Sequence, residues 1–502
     1  MISAFSNSFK VPELRSRILY TLAMVVVVRL GATITLPGVN PEVLRAWVES
    51  RAHDTTGPGA AVASLLNVFS GGGLQNCALF ALGIMPYISA SIMLQLLTAV
   101  VPSLSKMARE EGGRQKINQY TRLATIGLCI FQGYLLARSL SAPGQNIFLQ
   151  GLQDAIRTHG PLVPDFGWLF IVTTVVNITA GTLLMMWLGE QITERGIGNG
   201  ISLLICVNIV SALPGALVQV WQTYVSGAKA TPSNAALLVV MLALLIAVIA
   251  GVIALTEAQR RIVIQYAKRV VGRKVYGGQT QYLPLKINYS GVMPIIFAQA
   301  ILLFPTQIIS YMFPDSATVK QVSAFIGTGW FYYVVSAALI FFFSYFWVAT
   351  MFQPTQISED LKKSGGYLPG IRPGKPTADY LDYTMSRLTF AGAIFLTIIY
   401  ILPGIVSHGM GIPAQASQFF GGTSLLILVG VVLDVMKQLE THLLQANYDG
   451  FLRKGKIRGR NERVQGSTGR VADATTIVYL WAGIAIIVLS GIVYMLVMKK
   501  PA

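Results

Sequence analysis

The sequence predicts an all-α membrane protein: ten helices in two inverted halves of five, and an eleventh apolar helix at the carboxyl end. Three observations predict it. Only 12% of the 502 residues are charged, against about 25% in a soluble domain, so there is too little polar material to cover a soluble surface. Apolar runs near the ~20 residues needed to cross ~30 Å of hydrocarbon recur eleven times along the chain. A Gly-x-Met-Pro motif opens two of those runs, at Gly83 and at Gly291. The same composition excludes disorder, collagen and a disulfide scaffold, and the runs lack the ~10-residue alternation of a β-barrel.

The predicted spans are 18–36, 77–101, 123–140, 168–188, 201–218, 237–255, 291–313, 331–352, 388–405, 423–444 and 477–497. The first follows a basic, helical start with no small-residue cleavage site, so no removable signal is expected. Before the second lies 60–76, glycine-rich at Ser70-Gly71-Gly72-Gly73 and too short to cross. It reads as a surface loop or as a short segment re-entering between helices. The second span opens Gly83-Ile84-Met85-Pro86-Tyr87-Ile88 and carries Ser89, Ser91, Gln95 and Thr98. Such residues bond a neighbouring helix or line a cavity. Pro214 cuts the fifth span. The seventh opens Gly291-Val292-Met293-Pro294-Ile295-Ile296 and carries Gln299. Five spans separate the two motifs, so they run in opposite directions, the trace of an inverted repeat. Asp434, Lys437 and Glu440 dilute the tenth span, at a spacing suited to pairing along one helix. The halves are therefore expected at 1–218 and 219–450, with a basic linker and the extra helix at 451–502.

The charges carry the topology. The net charge is +17, from 38 Lys+Arg against 21 Asp+Glu. With the amino terminus in the cytoplasm, the inside segments hold 28 of the 38 basic residues, as the positive-inside rule requires. The sixth loop interleaves basic pairs with Tyr266, Tyr276 and Tyr282, and the eighth sets Pro and Gly beside Arg372 and Lys375. That mixture suits docking to ribosomal RNA or an acidic protein. No nucleotide loop, metal motif or hydrolase elbow is present, and Cys77, Cys129 and Cys206 read as small buried hydrophobes. The charges within the spans are Arg29 and the three of the tenth. Ion-coupled transport would place acids at mid-membrane, so a passive path is expected, with no enzymatic activity and no cofactor.

Longer motifs point to a family. GIMPYISASIMLQLL (83–97), EGGRQKINQYTRLA (111–124), EQITERGIGNGISLL (190–204), RRIVIQYAKRVVGRKVYGGQTQYLPLKIN (260–288), SGVMPIIFAQAILLFP (290–305), LKKSGGYLPGIRPG (361–374) and FGGTSLLILVGVVLD (420–434) occur in order. The chain resembles the SecY family of protein-translocation channels. The resemblance implies two five-helix halves hinged between the fifth and sixth helices. They enclose an hourglass path for unfolded polypeptide. A lateral gate between the second and seventh helices lets signal sequences and membrane helices into lipid. Within the matching motifs the constriction ring falls on Ile84, Ile88, Ile205, Ile296, Ala300 and Ile427. The plug falls on 60–76, with Leu65, Leu66, Phe69, Ser70, Gly71, Gly72 and Gly73. Gate positions are Pro86, Gln95, Pro294 and Gln299. The resemblance also implies SecE and SecG as fellow subunits, and a SecA motor and the ribosome as docking partners. The sixth-loop contacts would be Arg260, Arg261, Lys268, Arg269, Arg273 and Lys274. In the eighth loop they would be Lys362, Lys363, Arg372 and Lys375. The implied location is the bacterial cytoplasmic membrane. The eleventh run departs from the family, whose members usually stop soon after ten spans.

Overall fold

The computed structural model describes residues 11–44, 69–110, 112–141, 152–221, 224, 232–266, 269–271, 274–276, 280–299, 301–302, 330–410, 417, 419 and 422–453. Long helices dominate. They are α1 (Pro12–Gly31), α2 (Met85–Val100), α3 (Pro102–Arg109), α4 (Gly113–Ser141), α5 (Leu152–His159), α6 (Trp168–Arg195) and α7 (Gly200–Trp221). The second part of the chain adds α8 (Pro232–Glu257), α9 (Trp330–Met351), α10 (Pro354–Lys363), α11 (Lys375–Met410) and α12 (Gly422–Arg453). A further helix runs over 293–299. Among the described residues, seven helices are long and apolar enough to cross a membrane, and α2 with α3 makes an eighth bent by 105°. The bend falls at Val101, where Pro102 takes the first position of α3. Proline disfavours helical dihedrals in the residue before it, so the helix stops there. The predicted eleventh span lies outside the described residues.

The second span begins later than the sequence suggests. Residues 77–84 form turns, not helix. They are tied to the end of α1 by an isolated bridge between Thr35 and Ala78, with Leu36 N–H donating to the Cys77 carbonyl and Leu79 N–H to that of Ile34. The cause is local. Gly83 has φ +56°, which no helix can include, and Pro86 sits in the first helical turn. The seventh span repeats this construction: Gly291 has φ +64° and helix begins at Met293. In both, the amide four residues beyond the start closes on a matching carbonyl, Ile88 on Ile84 and Ile296 on Val292. The sequence repeat is thus a repeated backbone device.

Helices α4 and α6 pack together, α6 packs on α1 and α7, α7 meets α12, and α12 meets α8 and α11. Among the described residues, the named strands lie in the loops between α8 and α11. Strands β1 (Gln259–Tyr266) and β4 (Thr280–Lys286) pair antiparallel, and β5 (Gly366–Tyr367) adds to the free edge of β1. Between them β2 (Arg269–Val271) pairs with β3 (Lys274–Tyr276). The expected fold is therefore mostly helical with a small β unit, where the sequence predicts loops. Ile262, Ile264 and Leu285 are buried while Arg260, Arg261 and Lys286 are exposed, the alternation of a half-buried strand pair.

The tenth-span charges also differ from expectation. Lys437 pairs with Glu257 at the end of α8, at 2.7 Å. Asp434 instead accepts from Gln438 at 3.3 Å. A cation at a helix surface takes the nearest carboxylate, and here that one comes from the neighbouring helix. Arg122 and Glu190 form a two-pronged pair joining α4 to α6.

Candidate functional site: a dry collar between the halves

Four helices bring their aliphatic side chains to one place. Ile84 and Ile88 come from the start of α2, Ile205 from α7, Ile296 from the 293–299 helix and Ile427 from α12. They belong to a single apolar cluster with Phe69 and Phe80. Ile84 is 1% exposed, Ile427 5% and Ile205 7%. Five of the six ring residues expected from the resemblance thus meet; Ala300 lies outside the described residues. Branched aliphatic side chains offer no stable site to an ion or its hydration water, so such a collar blocks by staying dry. It also accepts any apolar or extended chain without directional demands.

The glycine-rich segment touches the collar from one side. Phe69 is buried among the ring residues. Its carbonyl accepts from Asn208 Nδ2 at 2.9 Å, and the Gly71 carbonyl accepts from Arg29 at 3.0 Å. Within the segment, Gly73 N–H donates to the Ser70 carbonyl and Leu74 N–H to Ser70 Oγ. Leu65 and Leu66, also expected in the plug, lie outside the described residues. Sequence reasoning noted Arg29 only as a charge within a span and missed Asn208 and Ser211. The available signal was their i, i+3 spacing on an otherwise apolar helix.

The second and seventh spans lie side by side. Ile88, Ile92 and Leu96 of α2 pack with Met293, Ile296 and Phe297, and Phe343 of α9 completes the cluster. Pro86 and Pro294 are both buried in the first turns. The two glutamines do not meet. Gln95 is exposed and donates to Ser91 on its own helix at 3.3 Å. Gln299 is buried and donates to Thr423 on α12 at 2.9 Å. Ser89 and Thr98 bond the carbonyls of their own helix. Most of the polar residues expected to bond a neighbouring helix or line a cavity therefore bond within their own helix, and Gln299 reaches across.

The basic loops form a shared surface. Arg260, Arg261, Lys362, Lys363, Arg372 and Lys375 are all exposed. Arg269 and Lys274 fall in β2 and β3, while Lys268 and Arg273 lie outside the described residues. Ile262, Leu285 and Leu368 join Leu381 and Met385 of α11 in one core beneath them. The eighth loop is firmly built. Ile371 N–H closes a turn on Leu368, Ser358 Oγ donates to the Gly374 carbonyl at 2.6 Å, and Thr377 Oγ1 donates to the Arg372 carbonyl at 2.9 Å.

A bundle of helices long and apolar enough to cross a membrane, gathered around an aliphatic collar, has the form of a channel. Comparison with known proteins agrees. The SecY family model matches residues 78–436. The chain is 42% identical over 463 residues to "Protein translocase subunit SecY" of Thermotoga maritima, covering 92% of this chain and 100% of that one. The same-named protein of Thermus thermophilus is 42% identical over 467 residues, with the same coverage. That of Chlamydia trachomatis is 39% identical over 461 residues, covering 90% and 98%. The fold resembles that in "The structure of a protein conducting channel", with TM-score 0.55 and 15% identity over 89% of this chain and 95% of that one. It also resembles the Sec61 channel in a canine ribosome–channel complex, at TM-score 0.52 and 15% identity over the same shares.

The chain therefore belongs to the SecY family, the multi-pass, protein-conducting channel subunits of the Sec translocon. It is a transporter and not an enzyme.

Proposed function

We propose that this chain is the central pore subunit of a bacterial Sec translocon, sealed at rest by Ile84, Ile88, Ile205, Ile296, Ala300 and Ile427 and by the plug behind them. The observation that carries this reading is the convergence of five of those residues from four helices, together with Phe69, in one apolar cluster. Unfolded polypeptide passes through the collar between the two five-helix halves. Signal sequences and membrane helices leave into lipid where α2 meets the seventh span; the cluster shared by Ile92 and Phe297 supports that reading. The gate positions Pro86, Gln95, Pro294 and Gln299 belong to those two helices.

The amino terminus lies in the cytoplasm, which places the exposed basic loops on the cytoplasmic face. Those loops receive the ribosome and a SecA motor, while SecE and SecG complete the complex. Ribosome-bound relatives support the first of these: the Sec61 complex above and a yeast Ssh1 complex on the 80S ribosome share this fold. The eleventh apolar run at 477–497 has the length and composition to cross as well.

The test is crosslinking. A stalled secretory chain is generated with the channel carrying a photoreactive probe at Ile88 or at Ile205. Adducts at both positions, with none from a probe at the exposed Leu123, are the expected result. Crosslinks confined to Leu123, or none at the two collar positions, overturn it.

A further inference from the structure

Arg29 is a cation near the end of an apolar helix, and the channel reading leaves it without a role. A guanidinium so placed would ordinarily extend its stem toward water. Here it turns inward. One nitrogen, Nη1, donates both to the Gly71 carbonyl at 3.0 Å and to Ser211 Oγ on α7 at 2.9 Å. Ser211 in turn donates its proton to the Asn208 carbonyl at 2.7 Å, which leaves its oxygen free to accept. Asn208 Nδ2 donates to the Phe69 carbonyl at 2.9 Å. The two acceptors on the plug are thus the carbonyls on either side of Ser70.

We propose that Arg29, with Ser211 and Asn208, is a latch that holds the plug closed by its backbone. This rests on the ring-and-plug reading given above. Three features support a device over ordinary packing. The latch grips main-chain carbonyl oxygens, not plug side chains. The gripped residue is fitted to it: Gly71 has φ +64°, and a Cβ there would lie 2.7 Å from Asn208 Oδ1 and 2.9 Å from Arg29 Nη1. Among the described residues no carboxylate lies within ion-pair distance of Arg29, so its charge is met by dipoles that can be exchanged. A translocating chain offers the same dipoles. Any extended polypeptide in the collar presents carbonyl oxygens, so a passing chain can take the place of Gly71 and keep the guanidinium satisfied. The latch favours release of the plug when something replaces it, because a partly buried donor left without a partner carries a cost.

The experiment uses the full chain with the subunits that co-purify with it, in planar bilayers without substrate. The resting ion conductance of Arg29→Gln, Arg29→Lys and Ser211→Ala is compared with wild type and with Ile205→Asn. Arg29→Gln is expected to raise the open fraction roughly tenfold, equivalent to about 1.4 kcal/mol. Ser211→Ala raises it less, Arg29→Lys falls between wild type and Arg29→Gln, and Arg29→Gln/Ser211→Ala opens no further than Arg29→Gln alone, since the residues act as one unit. Wild-type conductance for Arg29→Gln beside a leaking Ile205→Asn refutes the latch and leaves the collar standing. Wild-type conductance for both refutes the collar and the latch together. Should Arg29→Gln not assemble, Ser211→Ala decides: a resting conductance equal to wild type refutes the latch.

Discussion

The substitution Ile205→Asn puts the collar itself to the test. Ile205 is 7% exposed and shares its cluster with Ile84, Ile209 and Ile427, with Ile88 and Ile296 against it. Replacing it removes the burial of a branched aliphatic side chain, worth about 1.5–3 kcal/mol. The new amide faces aliphatic neighbours and finds no partner, at a further cost of about 1–3 kcal/mol. In the open channel water reaches the same position and satisfies the amide, so most of the penalty falls on the closed state. Taking about 3 kcal/mol, the closed-to-open ratio drops more than a hundredfold, at about 1.4 kcal/mol for each factor of ten. Ile205→Val removes one methylene and costs about 1 kcal/mol, or roughly fivefold. Single-channel recording reads the resting open fraction directly, and export of a cargo with a defective signal sequence reads it in cells. A graded increase from wild type through Val to Asn is expected. Equal resting conductance across all three, with normal assembly, refutes the argument that dryness seals this channel.

Two further predictions follow from other parts of the chain. Gly83→Ala and Gly291→Ala should each cost about 1 kcal/mol, because both positions sit in the left-handed region and a Cβ meets nothing closer than ordinary contact at either; thermal unfolding of the purified protein that differs widely between the two would break the equivalence of the repeated turns. Arg372→Glu should weaken motor-driven translocation of a secretory cargo several-fold while membrane levels of the chain stay normal, since Arg372 is exposed and its carbonyl, not its side chain, holds the loop; unchanged translocation into inverted vesicles would remove this loop from the docking surface.

Hydrophobicity made the helices legible from sequence. Runs such as 168–188 and 331–352 are apolar enough that any fold must bury or span them, and α6 and α9 begin within a residue of those runs. Helix ends were less legible where polar turns continue the helix outside the apolar stretch. Thus α11 starts at Lys375, well before the apolar run at 388. The β unit escaped because its strands are short and basic, and its third strand, β5, comes from about a hundred residues away in sequence. Long-range pairing leaves no local pattern to read. The site divides the same way. Ile88 and Ile427 are indistinguishable from lipid-facing residues until the helices are assembled, and only motif resemblance singled them out. Arg29 was conspicuous in the sequence, but its acceptors are a backbone carbonyl and a serine on another helix, and neither can be named from composition.

Helix α11 has a consequence for how force travels. It is 36 residues long, or about 54 Å at 1.5 Å per residue, against ~30 Å of hydrocarbon. It is therefore longer than the hydrocarbon is thick, and Pro403 interrupts its hydrogen-bond ladder near the second end. Near its first end Leu381 and Met385 sit in the core under the β unit and the eighth loop. Near its other end Leu402 and Val406 pack in one cluster with Ala216 and Val220 of α7 and Met241 of α8. A load applied at the basic loops thus has a single helix to travel along, and Pro403, beside the far contact, is the place where that helix can flex.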